Sequence, residues 1–420
     1  MNHVIIGNSA AGVTAAETLR MLDDQAQITI ISDEKEHAYS RCLLPDFLSG
    51  ERDSKSLRIR DLNFYSQNRI NTELGQKVVS VDHEQHQVVL EDGRRLQYDK
   101  LLVASGASPF IPPIPGLQTE DAFGLRTIDD ANRILEAAKS SRNAVIVGGG
   151  FIGLEAAYAL RSRGLDVTVV EMAPQILALQ FDEKSAGILA DDIRQAGVNL
   201  ITGAGVKEIE GPAFPGKLRS AGKKVILSSG DSLQADLLIM AAGTSANVAL
   251  VRDTGIKINR GIMVDSRMRT SLPDIFAAGD VVETLDVVSG SIGLTPIWPN
   301  AVVQGRYAAH NMAGNDKKYS GMIGLKNAVE FRAVPAIAMG ASRGTEEEGY
   351  EVLTLDQPAY QLYKKLILRD NRLQGMILVG DIKQAGVLGA LIRNKTDVSA
   401  YKNCLLQPSF SYADILRHSA

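Results

Sequence analysis

Short β-branched runs that end in glycine and pass into alanine-rich stretches recur along the chain, and this pattern predicts its architecture. Val145-Ile146-Val147 reads as a buried strand, the stretch after Gly153 as a helix, and Val167 to Val170 as a second strand closing on Glu171. Residues 4 to 12 repeat the pattern of 145 to 153 at an offset of 141. The helix that follows is predicted to reach about Leu22, and the next strand to cover Ile28 to Ile31. A second self-similarity links 93–109 with 230–246 at an offset of 137, sharing Gly, Leu, Gln, Asp, Leu and Gly. In both copies a polar hairpin region precedes a strand ending in small residues. The chain therefore reads as a duplication, one α/β unit inserted in another.

Between the copies, Pro109-Phe110-Ile111-Pro112-Pro113-Ile114-Pro115-Gly116 can be neither helix nor central strand, and it reads as a crossing between domains. Later, Ile275 to Ala278 reads as a strand that delivers Asp280 to the carboxyl end of a sheet, where open α/β sheets bind ligands. Residues 296–314 read as a helix with a proline-bounded start. From about Tyr319 the pattern becomes β-rich. Runs at Ala328 to Met339, Gln361 to Leu368 and Leu373 to Val379 surround an Asp370-Asn371 turn suited to a tight hairpin, and Gln384 to Arg393 reads as helical.

The glycine spacing has a chemical reading. Gly148, Gly150 and Gly153 form G-x-G-x-x-G with a strand before, a helix after and an acid 23 positions beyond the first glycine. Gly148 permits the tight turn, Gly150 lets backbone approach a pyrophosphate, and Gly153 lets helix and strand pack closely. The helix start, Phe151 and Ile152, presents amides to the phosphates. Glu171 suits ribose hydroxyls but repels a 2′-phosphate, and no Arg or Lys occurs from Met172 to Phe181, so NADH is expected over NADPH. In the first copy Ser9 replaces the middle glycine, and Asp33 or Glu34 is the ribose reader.

Composition narrows the chemistry further. Of 420 residues 45% are hydrophobic, enough for substantial cores, and the net charge is −4 with no basic stripe, which argues against nucleic acid. The first strand begins almost at Met1, and the longest apolar runs are too short to cross a bilayer, so a cytoplasmic location away from membranes is expected. Cys42 and Cys404 are the only two cysteines. With no C-x-x-C and no Cys/His cluster, the chain supplies neither thiolate ligands for its own iron–sulfur cluster nor a local redox dithiol, and no metal site is expected.

Two dinucleotide motifs, a proline hinge, the late Thr270-x-x-Pro273-x-Ile275-Phe276-Ala277-Ala278-Gly279-Asp280 and a separate C-terminal region together resemble the two-dinucleotide-binding flavoproteins, the pyridine nucleotide-disulfide oxidoreductase superfamily. The resemblance implies FAD on the first motif and NAD(H) on the second. It implies a discontinuous FAD-binding domain (1–110 and 243–318), an NAD-binding domain (111–242) and a C-terminal α+β interface domain (319–420), through which an oligomer or complex would form. It places Gly7, Ser9, Ala10, Ala11, Gly12 and Asp33 on the FAD adenosine and pyrophosphate, and Arg41, Arg126, Asp280 and Trp298 at further flavin positions. Val78, Ala104, Gly106, Gly243 and Gly279 complete the cofactor-binding set, and Glu155 matches the family glutamate near the nicotinamide.

The segment Tyr39-Ser40-Arg41-Cys42-Leu43-Leu44-Pro45 resembles two subfamilies at once. Tyr-x-Arg is similar to rubredoxin and ferredoxin reductases and the flavin domain of NADH-nitrite reductases, which implies an iron–sulfur partner protein as acceptor. Cys-x-x-Pro is similar to coenzyme A-disulfide reductases and NADH oxidases or peroxidases, which implies a redox-active Cys42. Asp46 stands where ferredoxin reductases usually carry lysine.

Overall fold

The computed structural model describes residues 1–118, 121–211 and 222–418 and separates into two compact units. The first contains Met1–Cys42, Ser54–Ser108 and Thr244–Gly324; the second contains Leu43–Asp53, Pro109–Gly243 and Leu325–Ala420.

The first unit is built on a five-stranded parallel sheet, in the order Ile275–Ala277, Lys100–Val103, Asn2–Ile6, Gln27–Ser32, Ile70–Leu74. The central strands carry apolar runs because both faces are covered, whereas the edge strand Ile70–Leu74 exposes Asn71 and Thr72. Ile5, Ile28, Ile30 and Leu102 point into a core shared with helices Ala10–Leu22 and Trp298–Met312. Val4, Ile6, Leu101 and Val103 alternate with them and face Val78, Val81, Val88 and Leu90 of a three-stranded meander. The strand period of two thus divides one apolar run between two cores.

The second unit contains a shorter copy of this plan. A four-stranded parallel sheet runs Asn199–Thr202, Asp166–Glu171, Asn143–Val147, Leu237–Met240. A meander (Val206–Glu210, Lys223–Leu227, Ser232–Ala235) packs Ile209, Val225 and Leu227 against Val145, Val170 and Leu238. Both meanders carry a register shift at their start, at Val78/Ser80 and Val206/Glu208. Helix Phe151–Ser162 packs on the sheet, and the short helix Leu44–Ser49 packs on it and on Ile128–Ala138. Thr127 and Asp130 close a capping box on Ile128–Ala138, satisfying amides that the helix leaves open.

The last hundred residues form a five-stranded antiparallel sheet within this second unit. Asp370 and Asn371 both hold left-handed backbone, with φ of 50° and 55°, as a two-residue hairpin turn requires. The apolar run from Ala328 to Met339 is not one strand but two, Lys326–Val329 and Ala336–Gly340, paired antiparallel through Val329 and Ala336. Pro335 lacks the amide that a continuous ladder needs. The edge strand Glu351–Gln357 has no sequence signature because most of it is solvent-facing. Ser342 Oγ donates to Gln180 O at 2.6 Å and Tyr363 OH to Asp182 Oδ2 at 2.8 Å, joining this sheet to the 109–243 part of the unit.

Candidate functional site

Each unit carries one glycine loop at the carboxyl edge of its parallel sheet, and the two are nearly superposable in detail. Gly7 N donates to Ile31 O and Gly148 N to Val170 O, both at 2.8 Å. Their φ values are 120° and 119°, and a Cβ would lie 2.1 Å from Ala104 O at Gly7 and 2.3 Å from Ala241 O at Gly148. Only glycine fits such a turn. A Cβ on Gly12 or Gly153 would fall 1.9 or 2.0 Å from the carbonyl of Gly7 or Gly148. The loops then open into helices Ala10–Leu22 and Phe151–Ser162, whose N-caps, Ser9 and Gly150, make no side-chain cap bond. The first amides of both helices remain available to an anion. Around Gly150 nothing lies within 4 Å of a built Cβ, which is the clearance a phosphate needs.

The carboxylates differ between the copies. Glu171 turns back over its loop, Oε2 accepting from Gly149 N at 2.6 Å and Oε1 from Ala173 N at 2.7 Å. In the first unit strand register sets Ser32, not Asp33, opposite this position, since Ile31 and Val170 accept the equivalent glycine amides. Asp33 is exposed. Glu34 accepts from the Tyr39 hydroxyl and pairs with Arg41, whose guanidinium lies 5.6 Å from the Tyr39 ring centre. The sequence left Asp33 and Glu34 as alternatives. The structure separates them into an exposed carboxylate and one committed to Arg41.

Further candidates belong to the first unit. Cys42 is exposed, in the turn Arg41–Leu43. Gly279 N donates to the buried Gln304 at 2.8 Å, setting the turn that carries Asp280. Ala104 follows its strand, with its amide on Ile6 O at 2.8 Å, Gly106 accepts from Asn247 N, and Val78 is buried in the meander. Trp298 opens the helix Trp298–Met312 and lines a cleft of about 410 Å³ with Thr14, Glu17, Arg60 and Arg306. Arg60 and Glu17 are paired at 2.7 Å across that cleft. Asn300, two residues on, is buried, and among the described residues its Oδ1 has no partner. Sequence reading missed Glu34 as a partner of Arg41 and missed Arg60, Arg306 and Asn300, which carry no motif of their own.

In the second unit, Gly243 follows the strand Leu237–Met240, and Arg126 precedes Ile128–Ala138 with its amide on Asp130 at 3.1 Å. Phe151 packs edge-on to Phe181 at 6.2 Å, and Ile152 is exposed. Glu155, on the same helix, is pushed up to about 7 by burial and by the charge of Asp46. Asp46 sits on the Leu44–Ser49 helix and pairs with Arg52 at 2.8 Å.

A family model described as pyridine nucleotide-disulphide oxidoreductase matches residues 1–305. The chain belongs to this family. A rubredoxin NAD+ reductase C-terminal domain model matches residues 334–396 of the same oxidoreductase. The chain is 33% identical to the epsilon subunit of NADH-dependent phenylglyoxylate dehydrogenase from Aromatoleum evansii, over 96% of this chain and 93% of that one. It is 32% identical to the NAD(P)H nitrite reductase of Bacillus subtilis over 96% of its length, but spans only 49% of that relative. A solved structure of an NAD-dependent persulfide reductase from A. fulgidus superposes with a TM-score of 0.86 at 29% identity, covering 96% of this chain and 79% of that one. FAD and NAD(H) are the cofactors of this pyridine nucleotide-disulphide oxidoreductase family. The oxidoreductase has the features to hold them: two uncapped helix starts, clearance at Gly150 and an unpaired acceptor on Asn300. Among the described residues no helix is long and apolar enough to cross a membrane, and no group of three or more His, Cys, Asp or Glu is placed to hold a metal.

Proposed function

We propose that this chain passes electrons between NAD(H) and an iron–sulfur partner protein through FAD, on its own or as the NAD(H)-reacting subunit of a larger redox complex. The observation that carries the reading is a pair of matched glycine loops in a chain without a second cysteine near Cys42 and without cluster ligands of its own. The acceptor is then another protein. The rubredoxin reductase C-terminal match and the dehydrogenase-subunit relative support this choice.

FAD, when bound, takes a hydride as two electrons and releases them singly. The protein binds and orients. Ser9 to Gly12 offer helix amides to the FAD pyrophosphate, and Arg41, fixed by Glu34 and Tyr39, stands at the flavin side. Asp280, on the turn set by Gln304, takes the ribityl chain, with Trp298 and Val78 as further contacts. In the second unit Gly148, Gly150, Phe151, Ile152 and Gly153 hold the NAD(H) pyrophosphate, Glu171 its ribose and Glu155 the nicotinamide end. Residues 319–420 act as the interface domain. Hydride transfer needs this alignment more than an acid or base.

A second reading follows from one observation, the exposure of Cys42 beside Arg41. As a thiolate it would serve a coenzyme A-disulfide, sulfur, oxygen or peroxide reductase. Anaerobic titration decides between them. The electron-transfer reading expects two electrons per FAD, and Cys42→Ser retaining NADH-dependent reduction of ferricyanide and of an iron–sulfur protein. Uptake beyond two electrons, with a thiolate-to-flavin charge-transfer band that Cys42→Ser abolishes, would establish the second.

A further inference from the structure

We infer that Ser342 and Arg343, in the C-terminal part of the second unit, are positioning residues for the NAD(H) site, because they anchor the segment 172–181 that is bonded to the second glycine loop. The inference rests on the reading of that loop as the NAD(H) site.

One side of the segment is tied to the glycine loop. Leu177 N donates to Gly149 O at 2.9 Å, while Gly149 N and Ala173 N donate to the two carboxylate oxygens of Glu171 at 2.6 and 2.7 Å. Gly149 is thus a shared point: its carbonyl holds the segment, and its amide holds the carboxylate read as the ribose acceptor. Leu177 takes left-handed backbone, φ 52°, which a leucine keeps only where its surroundings compel it. Its carbonyl accepts from Gln180 N at 3.0 Å and from Phe181 N at 3.1 Å. The buried Phe181 ring then packs edge-on to Phe151 at the start of the helix that follows the loop.

The other side is tied to the C-terminal sheet. Ser342 Oγ donates to Gln180 O at 2.6 Å, Arg343 Nη1 to Ala178 O at 2.5 Å, and Asn327 Nδ2 to Gln180 Oε1 at 3.0 Å. Asn327 lies on the strand Lys326–Val329, and Ser342 and Arg343 directly follow the strand Ala336–Gly340, so a rigid sheet carries all three donors. Ser342 and Gln180 are both buried, so water does not replace their bond when the hydroxyl is removed. Leu179, between the two anchored carbonyls, is 84% exposed and is not held by packing. Residues 172–180 run in bends and turns, and these side-chain bonds set their course.

Loosening the anchors frees residues 178–180, weakens the Leu177–Gly149 bond and releases the amide that fixes Glu171. The contacts lead to the ribose and pyrophosphate end of the nucleotide, whose binding is the same before and during hydride transfer. Their loss therefore raises KM and leaves kcat in place.

The test uses the FAD-loaded full chain, with calorimetry of NADH and of ADP-ribose, which lacks the nicotinamide, and hydrogen exchange of the peptide containing Leu177. Ser342→Ala and Arg343→Met should each weaken both probes about three- to tenfold, raise the KM for NADH to match and hold kcat within about twofold. Exchange around Leu177 should quicken while FAD stays bound. Arg343→Lys retains a donor for Ala178 O and should restore most of the affinity. Arg332→Met is the control: Arg332 Nη1 donates to Asp192 Oδ1 at 3.3 Å and to Gln195 Oε1 at 3.1 Å, on helix Glu183–Gln195 rather than on the segment, so affinity should not change. Unchanged ADP-ribose affinity in Ser342→Ala and Arg343→Met, an equal loss in Arg332→Met, or a fall in kcat with KM unmoved would overturn the inference alone. Failure of the unaltered chain to bind NADH or ADP-ribose would overturn the NAD(H) reading and the inference with it.

Discussion

The two glycine loops share a backbone and differ in what surrounds it. Both begin with a glycine at φ near 120° pressed against a neighbouring strand's carbonyl, and both end with a glycine pressed against the first. At the middle position one has Ser9 and the other Gly150, and at the end of the next strand one has Ser32 and the other Glu171. The contrast teaches that the turn is fixed by steric necessity and that its ligand is chosen by a few side chains around it. Asn8 is a further example. It accepts from Tyr65 OH at 2.7 Å and donates to Glu36 O at 3.3 Å, where the second loop has Gly149 under the Glu171 carboxylate.

Adding a methyl to the shared turn gives the largest effect. Gly7→Ala and Gly148→Ala each meet a backbone carbonyl at a φ that L residues rarely adopt, and each should destabilise its unit by on the order of 3 kcal/mol. Thermal melts read by cofactor fluorescence check this, and a normal melt for either variant would break the equivalence of the turns. Changing the side chain that differs has a smaller effect. Glu171→Gln removes the charge that repels a 2′-phosphate, so the NADH-to-NADPH ratio of kcat/KM should fall about tenfold with little change in Tm.

The smallest effects are opposite pH slopes of stability in the two units. His3, buried in the first strand, is lowered to about 4 by burial and by the nearby N-terminal charge. Its unfolded form binds a proton that the folded form does not, so stability falls as pH drops from about 6.5 to about 4 and levels off below. Glu155, raised to about 7, holds in the folded state a proton that the unfolded chain has lost. Its contribution therefore falls as pH rises from about 4.5 to about 7, and Glu155→Gln should flatten that slope. Denaturant melts across pH on His3→Leu and Glu155→Gln check the two slopes separately.

Much of this was legible in the sequence, for local reasons. The helix expected to end near Leu22 spans Ala10–Leu22, and the proline-bounded helix after Pro296 spans Trp298–Met312, because apolar period and caps lie within a few residues. The Asp370-Asn371 hairpin was legible because those residues tolerate left-handed backbone. What was not legible depends on chain segments far apart in sequence. Helix Leu44–Ser49 packs on helix Phe151–Ser162 of a distant segment, and Ser32 is matched to Glu171 only by strand register. The Glu351–Gln357 edge strand left no periodic trace because its side chains answer to solvent.

The central claim, that the first loop holds FAD and the second NAD(H), is tested most directly by one carboxylate placed in each. Gly150 has φ of −81° and open space at its Cβ, so Gly150→Asp should fold normally. Measured by visible absorption, Gly150→Asp should keep full FAD occupancy and bleach with dithionite but not with NADH, whereas Ser9→Asp should be purified without flavin. Loss of FAD from Gly150→Asp, or undiminished bleaching of that variant by NADH, would contradict the account.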